Sequence, residues 1–154
     1  MTSKSPTLSD TAVPATGGSD LKLSEFKGKP LVVYFYPRDN TPGCTRQGQD
    51  FRDHHAEFEK LGCRIVGVSR DKVASHEKFA AKHEFPFPLL ADTDETLCRE
   101  FDVIKEKNMY GKQVMGIERS TFLFAADGKL AREWRKVRVP GHVEEVLDAV
   151  RELG

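Results

Sequence analysis

The chain has no surplus of either charge: its 24 basic and 24 acidic residues cancel. Neither sign forms a long run, which excludes a basic nucleic-acid groove or an acidic tail, and no nucleic-acid partner is expected. Long apolar stretches are equally scarce. No segment reaches the length of a membrane span, and Met1-Thr2-Ser3-Lys4-Ser5-Pro6 lacks the apolar core of a secretory signal. The expected location is therefore the cytoplasm, with no membrane association. Cysteine is sparse as well. Three is an odd number and too few for a disulfide framework, which leaves catalysis, metal binding or core packing as their uses.

Two more absences narrow the chemistry. Three residues after Cys44 stands Gln47, so the Cys-x-x-Cys of a dithiol oxidoreductase is missing. His54, His55, His76, His83 and His142 show no ligand spacing with the cysteines and read as surface or half-buried helix residues, so no metal and no cofactor is expected.

What remains describes one compact domain spanning residues 1–154, with no repeat, low-complexity tract or linker to divide it. Residues 1–20, rich in Ser, Thr, Pro and Gly, read as an N-terminal arm or short hairpin. Leu31-Val32-Val33-Tyr34-Phe35-Tyr36 is apolar throughout, as a central parallel strand buried on both faces must be. A helix is expected from about Pro42 to Leu61, with Gly48, Phe51, Phe58 and Leu61 on its inward stripe. Arg64–Ser69 reads as a second strand, Val73–His83 as a second helix and Pro88–Ala91 as a short strand. Asp92 or Asp94 then caps a short helix carrying Leu97 and Phe101. Residues 105–117 read as an exposed loop, followed by strands over Ser120–Phe124 and Leu130–Val137 joined by the turn Ala126-Asp127-Gly128-Lys129. A last helix covers about Val143–Leu153. This order gives an α/β fold: a central mixed β-sheet with right-handed crossovers and helices on both faces. With no long apolar edge or heptad pattern to demand a partner, the chain is expected to be a monomer.

The chemistry is expected where the first long strand meets the first long helix, because sites in open α/β sheets gather beyond the carboxyl ends of parallel strands. Thr41-Pro42 reads as an N-cap followed by proline at the first helical position. Cys44 then falls in the first turn, where unpaired N–H groups and the positive end of the helix dipole favour an anion. It lies seven residues before Phe51, on the inward stripe. Gly43 lets a substrate approach the backbone.

The pattern Pro37-x-x-x-Thr41-x-x-Cys44 matches the active-site pattern of peroxiredoxins. The longer stretch Tyr34-Phe35-Tyr36-Pro37-Arg38-Asp39-Asn40-Thr41-Pro42-Gly43-Cys44-Thr45 resembles the peroxiredoxin Q group, also called bacterioferritin comigratory proteins. The likeness extends over Gly67–Asp71, Phe101–Ile104, Gly116–Phe122 and Trp134–Val137. It implies a thioredoxin-like fold and reduction of hydrogen peroxide or organic (alkyl) hydroperoxides. By the same resemblance Cys44 attacks the peroxide and becomes a sulfenic acid. Thr41 offers its hydroxyl to peroxide or thiolate, the backbone N–H groups of Gly43 and Cys44 add donors, Pro37 covers the site, and Arg119 supplies charge and a planar donor fork. Gln47 departs from the pattern, since many members of the group carry Glu there.

The second half of the cycle lacks an evident partner. Relatives place a resolving cysteine either five residues after the first, here Gln49, or in the second helix, here Ala80. If the helix over 42–61 is continuous, Cys63 lies roughly 25 Å from Cys44, beyond the roughly 7 Å between Cα atoms that a disulfide tolerates. Cys63 and Cys98 read as packing residues. Two readings remain: a one-cysteine enzyme regenerated by an external thiol such as thioredoxin or a small thiol, or a deliberate Cys→Ala replacement at position 80. A third, different in kind, is a redox-inert or chaperone-like domain that kept the fold and lost turnover.

Overall fold

The computed structural model describes residues 6–153, so the first five residues of the expected N-terminal arm lie outside the described residues. The arm is a minimal hairpin of β1 (Val13–Pro14) and β2 (Asp20–Leu21). Ala15 bridges to Leu90 and ties the arm to the edge of the main sheet.

That sheet follows from the apolar run. β3 (Leu31–Phe35) is buried at all five positions. It pairs in parallel with β4 (Arg64–Ser69), which pairs in parallel with β5 (Leu89–Ala91). On its other side β3 runs antiparallel to β8 (Ser120–Phe124), with β9 (Leu130–Trp134) at the far edge. The sheet is thus mixed, as expected. Alternation along β3 sends Val32 and Tyr34 to one face and Leu31, Val33 and Phe35 to the other.

The first face is covered by α1 (Pro42–Asp53), α2 (His55–Lys60), α3 (Val73–His83) and α5 (His142–Leu153), through Phe51, Phe58, Phe79, Val146 and Val150. The second is covered by α4 (Thr96–Glu100) through Leu97, by Phe101 just past its end, and by the arm. Burying each such Phe or Leu stabilises the fold by on the order of 2 kcal/mol. Helices therefore sit on both faces, and the fold is that of the thioredoxin-like α/β class.

Four expectations are corrected. Residues 105–117 are a β-hairpin, β6 (Ile104–Met109) and β7 (Lys112–Ile117), turning at Tyr110 and Gly111 with φ of 55° and 79°. Two consecutive positive φ angles make the tight turn whose twist matches a hairpin. The expected helix over 42–61 breaks at His54, whose ψ of 3° ends α1 and starts α2. Leu61 lies past the end of α2 and is exposed rather than inward. The last strand stops at Trp134, because Lys136 takes φ of 51° and turns the chain out of the sheet.

Candidate active site

Just past β3, the Tyr36 N–H still bonds the Val68 carbonyl (3.1 Å), and Pro37 then breaks the ladder. The chain turns through Asn40, at φ 63°, into α1. Thr41 has the extended backbone of an N-cap and Pro42 follows at the first helical position. The cap differs from expectation in one respect. Its side chain makes no capping bond; instead the hydroxyl donates to the Arg38 carbonyl at 2.9 Å. That bond fixes the rotamer of Thr41 and leaves its lone pairs available as acceptors.

Cys44 is 2% exposed on the first turn of α1. Arg119, between β7 and β8, reaches it: Nη2 donates to Sγ at 3.3 Å. The other tine of the fork, Nη1, donates to Gln47 Oε1 at 2.6 Å. The Arg119 backbone is fixed where its carbonyl accepts from Val137 N–H at 3.0 Å. Residues 75 positions apart in sequence thus meet in one ion-and-dipole contact.

Gly43 has a different reason from the one its sequence context implied. A Cβ there would lie 3.1 Å from Arg119 Nη2, so the missing side chain makes room for the guanidinium. Pro37 is half-buried in the loop ahead of the helix.

Titratable neighbours of the sulfur are shifted toward their neutral forms. Burial and the proximity of Cys44 push the Tyr34 hydroxyl well above its ordinary value, keeping it neutral. Lys107, on β6, donates from Nζ to the Ile117 carbonyl. Burial and the nearby Arg119 hold its ammonium below the usual lysine range. The other two thiols are suppressed: burial pushes Cys63 up to about 12, and burial together with the Asp92 carboxylate pushes Cys98 further in the same direction. Cys98 also packs on the opposite face of the sheet from Cys44, whereas Ala80 packs against the same core as Cys44.

A second polar cluster fixes the active loop from behind. Asp39 is buried and accepts from Tyr36 Oη (2.7 Å), Ser75 Oγ (2.8 Å) and His76 Nδ1 (2.8 Å). His76 Nε2 is 2.9 Å from the Leu90 carbonyl. Burial works against the charge on Asp39, but the bonds from His76 and Tyr36 hold its carboxyl below the ordinary range. The Asp39 N–H and Ser69 Oγ both bond Asp71 (2.8 and 2.6 Å). Asp39, Asp71 and His76 offer atoms within 4.8 Å of one another, a spacing that suits a metal ion. Their bonds to internal donors instead make them a tie between the active loop, α3 and β5. The sequence reading missed this tie and misjudged two histidines: His76 and His142 are buried. His142 bonds Thr121 Oγ1 at 2.8 Å, and burial lowers its ring to about 4.

Comparison with known proteins bears on the family and the fold. The model of the AhpC/TSA family matches residues 6–133. A relative from Xanthomonas campestris pv. campestris, "Peroxiredoxin Bcp", is 56% identical over 142 residues, 92% of this chain and 89% of its own length. A Bacillus subtilis protein of the same name is 49% identical, over 94% of this chain and 92% of its own. Among solved structures, a Xanthomonas campestris bacterioferritin comigratory protein described for its alkyl peroxide reduction activity superposes with a TM-score of 0.89 at 55% identity, covering 93% of this chain and 91% of that one. Among the described residues no helix is long and apolar enough to cross a membrane.

Proposed function

The chain belongs to the AhpC/TSA family and is a peroxiredoxin, a peroxidase-type oxidoreductase, and from that premise we propose that Cys44 is its peroxidatic nucleophile and an external thiol its reductant. The observation that carries the first half is the 3.3 Å contact from Arg119 Nη2 to Cys44 Sγ at the start of α1. A cation and a helix N-terminus converge on one sulfur, and both favour the thiolate.

The reaction follows from that placement. The Cys44 thiolate attacks the terminal oxygen of the peroxide, forming an S–O bond as the O–O bond breaks. The electron pair leaves with the alkoxide or hydroxide, which takes a proton from solvent. Sulfur becomes a sulfenic acid. Arg119 and the N–H groups of Gly43 and Cys44 stabilise the charge that moves onto the peroxide oxygens. Thr41, whose own proton is held by the Arg38 carbonyl, accepts the peroxide O–H and orients it. Pro37 covers the mouth. The alkyl peroxide reduction described for the Xanthomonas protein supports organic hydroperoxides, alongside hydrogen peroxide, as substrates.

For the second half, the incoming thiol condenses with the sulfenic acid, releasing water and leaving a mixed disulfide. A second thiol then frees Cys44. Suppression of the Cys63 and Cys98 thiols supports an external source, thioredoxin or a small thiol. In two structures of Xanthomonas campestris peroxiredoxin Q one or the other of two cysteines is replaced by serine, and those two are as far apart in sequence as Cys44 and Ala80. Counted from Cys44, that spacing falls on Ala80 in this chain. Three free thiols suit a reducing compartment such as the cytoplasm.

Intact mass after one equivalent of peroxide tests the proposal. The expected product gains one oxygen on Cys44 and retains two titratable thiols after unfolding. An intramolecular disulfide would overturn the external-thiol half, and an unmodified Cys44 would overturn the whole.

A further inference from the structure

We propose that Gln47 is a positioning residue that aims the Arg119 guanidinium at Cys44 while leaving its charge uncancelled. The inference rests on the reading of Cys44 as the attacking thiolate. Gln47 stands three residues after Cys44, on the same side of α1, and its side chain is fully buried. A guanidinium has donors only, so the amide must turn its oxygen toward Arg119, and Oε1 accepts from Nη1 at 2.6 Å. This choice orphans the other end. Gln47 Nε2 is the buried side-chain polar atom with no hydrogen-bond partner among the described residues.

Leaving a buried amide nitrogen unpaired is unfavourable, and an apolar side chain of the same shape would avoid it. Space-filling alone therefore does not account for a glutamine here. What the glutamine adds is one strong bond that fixes one tine of the fork, so that the other faces Sγ at 3.3 Å. What it withholds is a negative charge. The side-chain bonds of Arg119 go to an amide and a sulfur, neither a carboxylate, so the cation acts on the thiolate undivided. The other titratable groups facing this pair leave that balance in place. They are Tyr34 from β3, kept neutral by burial, Lys107 from β6, and His142 at the start of α5, whose ring burial holds neutral near pH 7. Glu118, the chain neighbour of Arg119, acts on Lys107.

Q47E and Q47M separate the two parts of the claim. The measurement is the pH profile of Cys44 alkylation by iodoacetamide, located by peptide mass, alongside the rate of reaction with hydrogen peroxide in the full chain. A carboxylate one guanidinium away from the sulfur competes for the same cation. Q47E should move the alkylation profile to higher pH by about one unit or more, with about tenfold slower reaction near neutrality and recovery at alkaline pH. Q47M cannot hold the fork. It should slow peroxide reduction about tenfold even on the alkaline plateau of the profile, where thiolate is no longer limiting. A folded Q47E with the native profile would overturn the uncancelled-charge claim, and a Q47M with native profile and native peroxide rate would reduce Gln47 to packing. If Q47E does not fold, Q47M alone decides the positioning claim. Failure of the native protein to react with peroxide would sink the nucleophile reading, while the alkylation profiles would still judge Gln47.

Discussion

Cys44 and Cys98 occupy the same place in two different helices. Each is the third residue of its helix, and each is buried, at 2% and 0% exposure. A helix start ought to favour an anion at both. At α4, however, the anion position is already filled: Asp92 accepts from Leu97 N–H at 3.1 Å and from Cys98 N–H at 2.8 Å. At α1 the cap residue makes no such bond, and the partner brought to the sulfur is a guanidinium. One cysteine therefore faces a cation across open N–H groups, and the other faces a carboxylate that has taken them. On the proposed reading, helix position alone does not make a nucleophile; the charge delivered by a distant part of the chain does.

The largest test of this contrast removes each sulfur in turn. Cys44→Ser should drop thiol-dependent peroxide consumption to the uncatalysed background, since a serine hydroxyl does not ionise near neutral pH. Cys98→Ala should leave the rate within about twofold and cost about 1 kcal/mol of stability for the small cavity. Steady-state peroxide consumption with a small thiol, beside urea denaturation, reads both. Activity lost with Cys98→Ala in a folded protein would break the comparison.

A smaller effect is expected from removing the cation. Arg119→Met keeps much of the bulk and deletes the charge, and the second-order rate constant with hydrogen peroxide should fall about a hundredfold or more. Arg119→Lys restores charge without the two-tined fork and should recover only part of that loss. Stopped-flow measurement on the reduced protein gives both constants. Equal rates for Lys and Met would mean that geometry, not charge, dominates the contact.

The contrast was only half visible in the sequence. The strand over 31–36 and the helix start at Thr41-Pro42 announce themselves locally, because β-branched runs and proline at a first helical position act through near neighbours. Arg119 was reached only through resemblance, since nothing in its own surroundings says that it will meet a residue 75 positions away. The β6–β7 hairpin escaped because β6 carries charge on both faces and β7 is exposed over its first four residues, so the alternation that marks a half-buried strand is missing. His76 reads in sequence as a surface or half-buried helix residue between Ser75 and Glu77; its full burial depends on Asp39 and Leu90 arriving from other elements. Gln47 stands out in the sequence only as a departure from the family pattern; the bond its oxygen accepts from Arg119 is visible in the structure alone.

The smallest expected effect probes the other side of the comparison. Burial and Asp92 raise the Cys98 thiol far above its ordinary value of about 8.5. The native state therefore keeps this proton at pH values where the unfolded chain has released it. The associated stability is present below about pH 8.5 and is lost as pH rises toward the folded value, by about 1.4 kcal/mol per pH unit. Cys63, raised to about 12, adds to the decline in the same direction. Asp92→Asn should cost about 1 kcal/mol near neutrality, because the cap loses its charge. With that charge gone the Cys98 thiol falls part of the way back, although burial still raises it. From about pH 8.5 upward both proteins should lose stability at the same rate, because burial keeps the folded thiol protonated in each, so the gap of about 1 kcal/mol should hold between about pH 7 and about pH 10. Urea denaturation at the two pH values measures that gap. A gap that narrows by pH 10 would overturn this and show that the Asp92 carboxylate, rather than burial, does most to silence Cys98.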